Sequence, residues 1–277
     1  MALVLVGTSG WSYDDWVGPF YPPGLSKERW LHHYAERFPT VEVNFTHYRT
    51  PEAQLVRTLA ARMLKAGLRH SVWKAPRTFS HEAVPRGDDE AAADEIARFF
   101  AALAPVKGAG VLDGVLLQFD PWTAPERVVA AVRTAHEAGP PAPLFVEVRH
   151  AGFREPAARD AVRKIVEGSG GCLVATDNPG AVVERAPPAR QACFRMHGRS
   201  ARWFEPAVEG VHGSAKYDFL YSEAQVAELA ARVREAEAER VHVFFNNHVR
   251  GQAPENATAL MERLGVRPRG PPRLEDF

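Results

Sequence analysis

Several charged and amide side chains stand at the ends of short apolar runs, where a folded chain could hold them on a rigid support. Glu42 and Asn44 end the run at 40–44, Glu147 and Arg149 the run at 144–149, and Arg195 and His197 the run at 192–197. Lys74 ends 69–74, Gln118 lies near the end of 114–119, Asp177 follows 171–176, and Asn246-Asn247 close 241–246. Arginine forks match phosphate or carboxylate oxygens two at a time, so Lys74, Arg149 and Arg195 read as an anion-binding set. Glu147 is the expected general base and His197 or His81 the expected general acid, with Glu42 as a further catalytic carboxylate. Each such proton transfer is typically worth about 10²–10⁴-fold in rate. Trp11, Tyr13, Asn44, Tyr48, Gln118, Asp177, Asn246 and Asn247 complete the expected substrate contacts.

Two other readings use the same residues. Burying an ion is costly unless it is paired, so Glu42 and Glu147 could serve only to salt-bridge Arg149, Arg195 or Lys74. Glu42, Glu147, Asp177 and His197 also have the side-chain types of a divalent-metal site. Three cations in the same pocket oppose a fourth positive centre, and the chain has neither His-x-His nor His-Glu-x-x-His spacing. No metal and no cofactor is therefore assigned. In the opening segment, 7–16, backbone N–H groups could hold an anion while Trp11 or Tyr13 stacks on a ring; a packed loop closing the top is the competing reading. His32 and His33 are expected on a solvated helix face, and the long connection 198–221 is a candidate lid.

These residues need a scaffold, and the rest of the chain supplies one. Eight β-rich runs, at 3–8, 40–44, 69–74, 114–119, 144–149, 171–176, 192–197 and 241–246, alternate with helical patterns. That order predicts an α/β fold, a TIM-type (β/α) barrel of seven or eight strands forming a single domain over 1–277. One helix, in the short proline-rich stretch after Thr176, is expected to be missing or degenerate. A doubly wound sheet is disfavoured because the first strand feeds no GxGxxG loop. Strand alternation places Val41 and Val43 on one face and Thr40, Glu42 and Asn44 on the other. Covering helices need the valine face, so Glu42, Asn44, Glu147 and Arg149 should point into the barrel, at the strand ends where barrel active sites sit.

Helix punctuation is also readable. Thr50-Pro51 reads as an N-cap and N1 proline, followed by Leu55, Leu59 and Met63 at four-residue spacing. Ser222 with Gln225 reads as a capping box. Ile96, Phe99, Phe100 and Leu103 mark one buried stripe, and Val128, Val129 and Val132 another.

Composition narrows the classes of partner. Lys+Arg and Asp+Glu both number 34, so bulk charge recruits neither nucleic acid nor an anionic membrane. Cys172 and Cys193 lie in apolar runs without a CxxC pattern, which predicts buried thiols and fits a reducing cytoplasm. No run approaches the ~20 apolar residues of a membrane span, and the apolar N-terminus is too short for a signal peptide. A cytoplasmic protein with a small anionic substrate is expected, with nucleic acid as the alternative partner and no oligomeric state assigned.

The same segments resemble the YecE-like TIM-barrel family, domain of unknown function 72. The likeness rests on Gly7-Thr8-Ser9-Gly10-Trp11, Thr40-Val41-Glu42-Val43-Asn44 with Tyr48, and Lys74 followed by His81. It continues through Gln118-Phe119, Val146-Glu147-Val148-Arg149-His150, Arg195-Met196-His197-Gly198 and Phe245-Asn246-Asn247. His47 departs from an aromatic before Tyr48, and Asp120 from a proline that usually follows the Gln-Phe pair. The resemblance implies a TIM barrel and no particular activity. Three functions follow as expectations: a metal-independent acid–base enzyme on a small phosphorylated or carboxylated substrate, a metal-dependent phosphodiesterase or endonuclease on nucleic acid, and a non-catalytic binder of anions or nucleic acid.

Overall fold

Each predicted run becomes a strand, with ends shifted by two residues or fewer: β1 (Leu3–Ser9), β2 (Thr40–Val43), β3 (His70–Lys74), β4 (Leu112–Gln118), β5 (Leu144–Glu147), β6 (Cys172–Asp177), β7 (Gln191–Met196) and β8 (Arg240–Phe245). The computed structural model describes residues 2–204 and 214–266. All neighbouring strands are parallel and the sheet closes on itself, β8 pairing with β1 from Leu3↔Arg240 to Thr8↔Phe245. Helices Lys27–Ala35, Ala53–Lys65, Asp89–Ala102, Pro125–Glu137 and Pro156–Glu167 follow β1 to β5, and Glu223–Arg234 and Gln252–Leu264 follow β7 and β8. Residues 178–190, between β6 and β7, form no helix. This is the α/β barrel that the alternating pattern predicts. Among the described residues no helix is long and apolar enough to cross a membrane.

The outward faces of the strands supply the main core. Val41, Val43, Trp73, Val115 and Val146 are fully buried among Ile96, Phe99, Leu103 and Val132 and their neighbours. The capping box forms as read, Ser222 accepting from the Gln225 N–H while the Gln225 side chain accepts from the Ser222 N–H. Thr50, in contrast, is not an N-cap. Its hydroxyl donates to Glu95, the helix starts at Ala53, and its buried face is Val56, Leu59, Ala60 and Met63 while Leu55 stays exposed. His33 is not solvated either, because its Nε2 lies 3.0 Å from the Phe20 carbonyl.

Inside the barrel the inward residues form layers. At the N-terminal end, Asp113 meets His70 at 2.8 Å and Arg240 at 3.3 Å. Next to them His242 is fully buried, and burial lowers its pKa to about 4, so it stays neutral. Above lies an apolar layer of Val72, Leu116, Phe145, Cys172, Val174, Cys193 and Phe244. Both cysteines are free thiols here, and burial pushes both pKa values up. Gly114 makes room for this layer, since a Cβ there would sit 2.9 Å from the Phe145 ring. The interior is already close-packed, and an added methyl must displace a ring that the opposite strands confine. Gly114→Ala should therefore lower unfolding stability by roughly 1–3 kcal/mol in urea titration, and Phe145→Leu in the same chain should recover part of that loss.

Candidate active site

The third layer, at the C-terminal ends of the strands, is ionic. Arg195 projects inward from β7 and its Nε and Nη2 donate to Glu42 on β2, each at 2.7 Å. Its Nη1 donates to Glu147 on β5. The other Glu147 oxygen accepts from Arg149 Nε at 2.6 Å. Glu42, Glu147 and Arg195 are all essentially inaccessible to solvent. Burial works to raise the Glu147 pKa, but Arg149 and Arg195 overcome it and hold the carboxyl well below its usual range. A carboxylate so strongly committed is a weak base.

Around this network stand groups with little to bind. The Asn246 amide lies 3.0 Å from His197 Nδ1; an amide donor there puts the imidazole proton on Nε2, 3.4 Å from Glu147. Burial, opposed by Glu147, sets the His197 pKa at about 4, so the ring is neutral at pH 7. Lys74 ends β3, where Thr46 Oγ1 donates to its backbone carbonyl at 2.5 Å. Its side chain is buried, and among the described residues no carboxylate lies within ion-pair distance of the amine. Burial, then Arg195 and Arg149, lower its pKa to about 7 against the pull of Glu42 and Glu147. His81 and His47 flank it with rings 5.0 Å apart, and Gln118 reaches His81 Nε2 at 3.4 Å. Burial and then Lys74 depress both imidazoles, to about 4 for His81 and about 2 for His47. Ser9 Oγ and Arg149 Nη2 are buried with no hydrogen-bond partner among the described residues.

Not every expected contact joins this cluster. Cys172 and Val174 face the barrel interior, so alternation along β6 turns Asp177 outward. There it accepts from Arg199 Nε and Nη2 at 2.8 Å each, from Arg232 at 2.6 Å and from Tyr221 at 2.9 Å. Asn247 is a latch, donating to the Phe219 carbonyl and to Asn256 Oδ1. The opening loop is packed: Tyr13 donates to the Ser9 carbonyl, accepts from Asn44 Nδ2 and stacks on His248 at 4.8 Å. Trp11 packs part-buried against the core, and Tyr48 stands exposed on its rim. Glu147, Asp177 and His197 do not converge, and among the described residues no three His, Cys, Asp or Glu side chains group as metal ligands. Ser9 was missed as a member of the mouth, although it lies within a motif that carries the family likeness; His47, the departure from the family pattern, stands beside His81. Part of the candidate lid, 205–213, lies outside the described residues.

The family described as "Protein of unknown function DUF72" matches residues 5–276. The chain belongs to the DUF72 family. A DUF72 family protein from Thermotoga maritima MSB8 is 30% identical, with 95% of this chain and 99% of that chain aligned at a TM-score of 0.81. A DUF72 family protein from Enterococcus faecalis V583 is 23% identical over 95% of this chain and 96% of its own, with a TM-score of 0.76, a likeness of fold. The UPF0759 protein YunF of Bacillus subtilis (strain 168) is 24% identical over 95% of each chain. A barrel of this kind typically carries its active site at the C-terminal strand ends, where this DUF72 chain gathers its buried ions.

Removing Arg195 leaves the buried Glu42 carboxylate without its ion-pair partner and Glu147 with Arg149 alone. Arg195→Met should cost roughly 3–5 kcal/mol at pH 7. In that variant the buried carboxylates carry less compensating charge, so their ionised forms are penalised more than in the native protein. The deficit should then shrink as pH falls from 7 towards 4, which chemical unfolding at stepped pH measures; a deficit independent of pH would contradict this account.

Proposed function

We propose that this DUF72 protein is an enzyme that does acid–base chemistry, without a metal, on a small phosphorylated or carboxylated substrate. One observation carries the reading: the Lys74 amine is buried at a strand end with no described carboxylate in ion-pair range, while both carboxylates of the mouth are committed to arginines. With a pKa lowered to about 7, the amine can accept a proton at neutral pH and return it, which matches a general base poised near operating pH. The role expected for Glu147 passes to Lys74. Glu147 becomes a positioning residue that orients Arg149.

The remaining groups fit the same chemistry. Arg149 Nη2 is a buried donor with no acceptor among the described residues, suited to a phosphate or carboxylate oxygen. A neutral His197 offers its Nε2 proton to an oxygen that gains charge, as preorganised donors do in other active sites. Proton abstraction by Lys74 would create an ammonium beside that developing anion. His81 supplies a second neutral imidazole on the Lys74 side.

Lys74 can be tested without knowing the substrate. Competitive acylation of the native protein, read by peptide mass spectrometry, should show Lys74 reactivity titrating near pH 7, against ~10.4 for a free lysine amine. Millimolar inorganic phosphate should slow that labelling. Titration near the free value, or indifference to phosphate, would overturn the reading. Stability gives an independent check. Between about pH 7 and ~10.4 the unfolded chain binds more protons at this site than the native one, so stability rises with pH through that window. Lys74→Met should flatten that slope and raise Tm at pH 7 by roughly 2–4 °C for each kcal/mol gained.

A further inference from the structure

A cleft of about 680 Å³ opens beside Arg149, between the loops that follow β4, β5, β6 and β7. Its volume falls within the range of small-molecule sites, roughly 300–1,000 Å³. Two of its walls are unusual for a protein surface. Trp122 is 84% exposed and Phe204 is 74% exposed, although both rings are large and apolar. Trp122 is held at its loop tip, because Asp120 Oδ1 accepts from the Trp122 and Thr123 N–H groups and from the Thr123 hydroxyl, at 2.8, 2.8 and 2.9 Å. Gly180 lies under Phe204, and a Cβ there would come 3.2 Å from the ring.

Among the described residues the charge of the cleft has one sign. Arg149 and Lys216 line it, and no described lining residue is Asp or Glu. Trp203, a third ring of the cleft, already has both cations near its face, Arg149 Cζ at 5.9 Å and Lys216 Nζ at 5.7 Å. Trp122 and Phe204 therefore remain the free stacking surfaces, with cations a short way off. Exposed aromatic rings beside a cationic, carboxylate-free floor match a ligand that joins a flat π-face to an anion. A neutral sugar has no use for that charge. A simple phosphate or carboxylate has no use for the rings.

We infer that this cleft is a base-binding subsite, and that the substrate class is a nucleoside phosphate whose base stacks on Trp122 or Phe204 while its phosphate reaches Arg149 and Lys216. The inference rests on the anion site proposed above and extends it to one substrate class. The same chemistry could be presented by a free mononucleotide or by the phosphorylated end of a single strand.

Calorimetric titration of the full chain separates these. Adenosine 5′-monophosphate should bind at least about 10-fold more tightly than ribose 5-phosphate, which carries the same phosphate without a base. Trp122→Ala should reduce that advantage about 5- to 100-fold, the range of a base–aromatic stack, and leave ribose 5-phosphate unchanged. Leu3→Ala, an exposed apolar residue at the opposite end of the barrel, should change neither. A 5′-phosphorylated oligothymidylate that binds more tightly than thymidine 5′-monophosphate would identify a strand end as the source; equal binding would identify the free nucleotide. If ribose 5-phosphate binds as well as the nucleotide, or if Trp122→Ala weakens both alike, the base subsite is overturned while the anion site stands. If none of these phosphates binds, both fail together.

Discussion

A guanidinium whose three nitrogens all donate to buried carboxylates ties β2, β5 and β7 together at the open end of the barrel. Arg195 and its partners Glu42 and Glu147 are separated by 153 and 48 residues in the chain, so the contact forms only when the barrel is closed. The pairing also sets the charge of everything near it. Two carboxylates are met by two arginines, Arg195 and Arg149, and Lys74 is left over. That leftover amine, rather than any catalytic carboxylate, is what the network produces at its centre. A lysine near carboxylates it could reach would be an ordinary ion pair; here the arginines have claimed the oxygens first.

Such an arrangement trades stability for readiness. Neutral imidazoles at His47, His81 and His197, and an amine held near neutrality, are groups that water would charge more readily than the barrel does. Burial is the largest cause that disfavours their charged forms. The apolar layer of Val72, Leu116, Phe145 and Phe244 directly beneath keeps the low-dielectric floor in place, which strengthens each electrostatic contact above it. The layer thus shapes the electrostatics of the mouth as well as serving as a core.

Alternation made much of the mouth legible from sequence. On β2 and β5 a charged residue sits between valines, and only one face can meet the helices, so Glu42 and Glu147 were placed correctly with Arg195 and His197 following on β7. The same rule had nothing to work with on β6, where Cys-Leu-Val-Ala is apolar on both faces. Asp177 was assigned to the mouth by its position at a strand end, and it faces the opposite way. The pairing within the mouth was also beyond the pattern: both a carboxylate and a lysine stand at strand ends, and which of them is left without a partner depends on which oxygens the arginine forks occupy. Exposure of Trp122 and Phe204 left no trace either, since an aromatic residue in a loop reads the same whether it packs or faces water.

The connection from β6 to β7 has a consequence for how the family can vary. Elsewhere a change in loop length must be absorbed between a strand and the helix that covers it. Residues 178–190 join two adjacent strands with no helix to displace, and lengthening a flexible loop is cheap, ~0.6 kcal/mol per doubling. Part of this segment walls the cleft through Asn178, Pro179 and Gly180. Insertions and deletions here can resize the cleft while the strands, the Arg195 network and the lysine beside it stay as they are. The barrel thus separates what is chemically fixed from what evolution is free to retune.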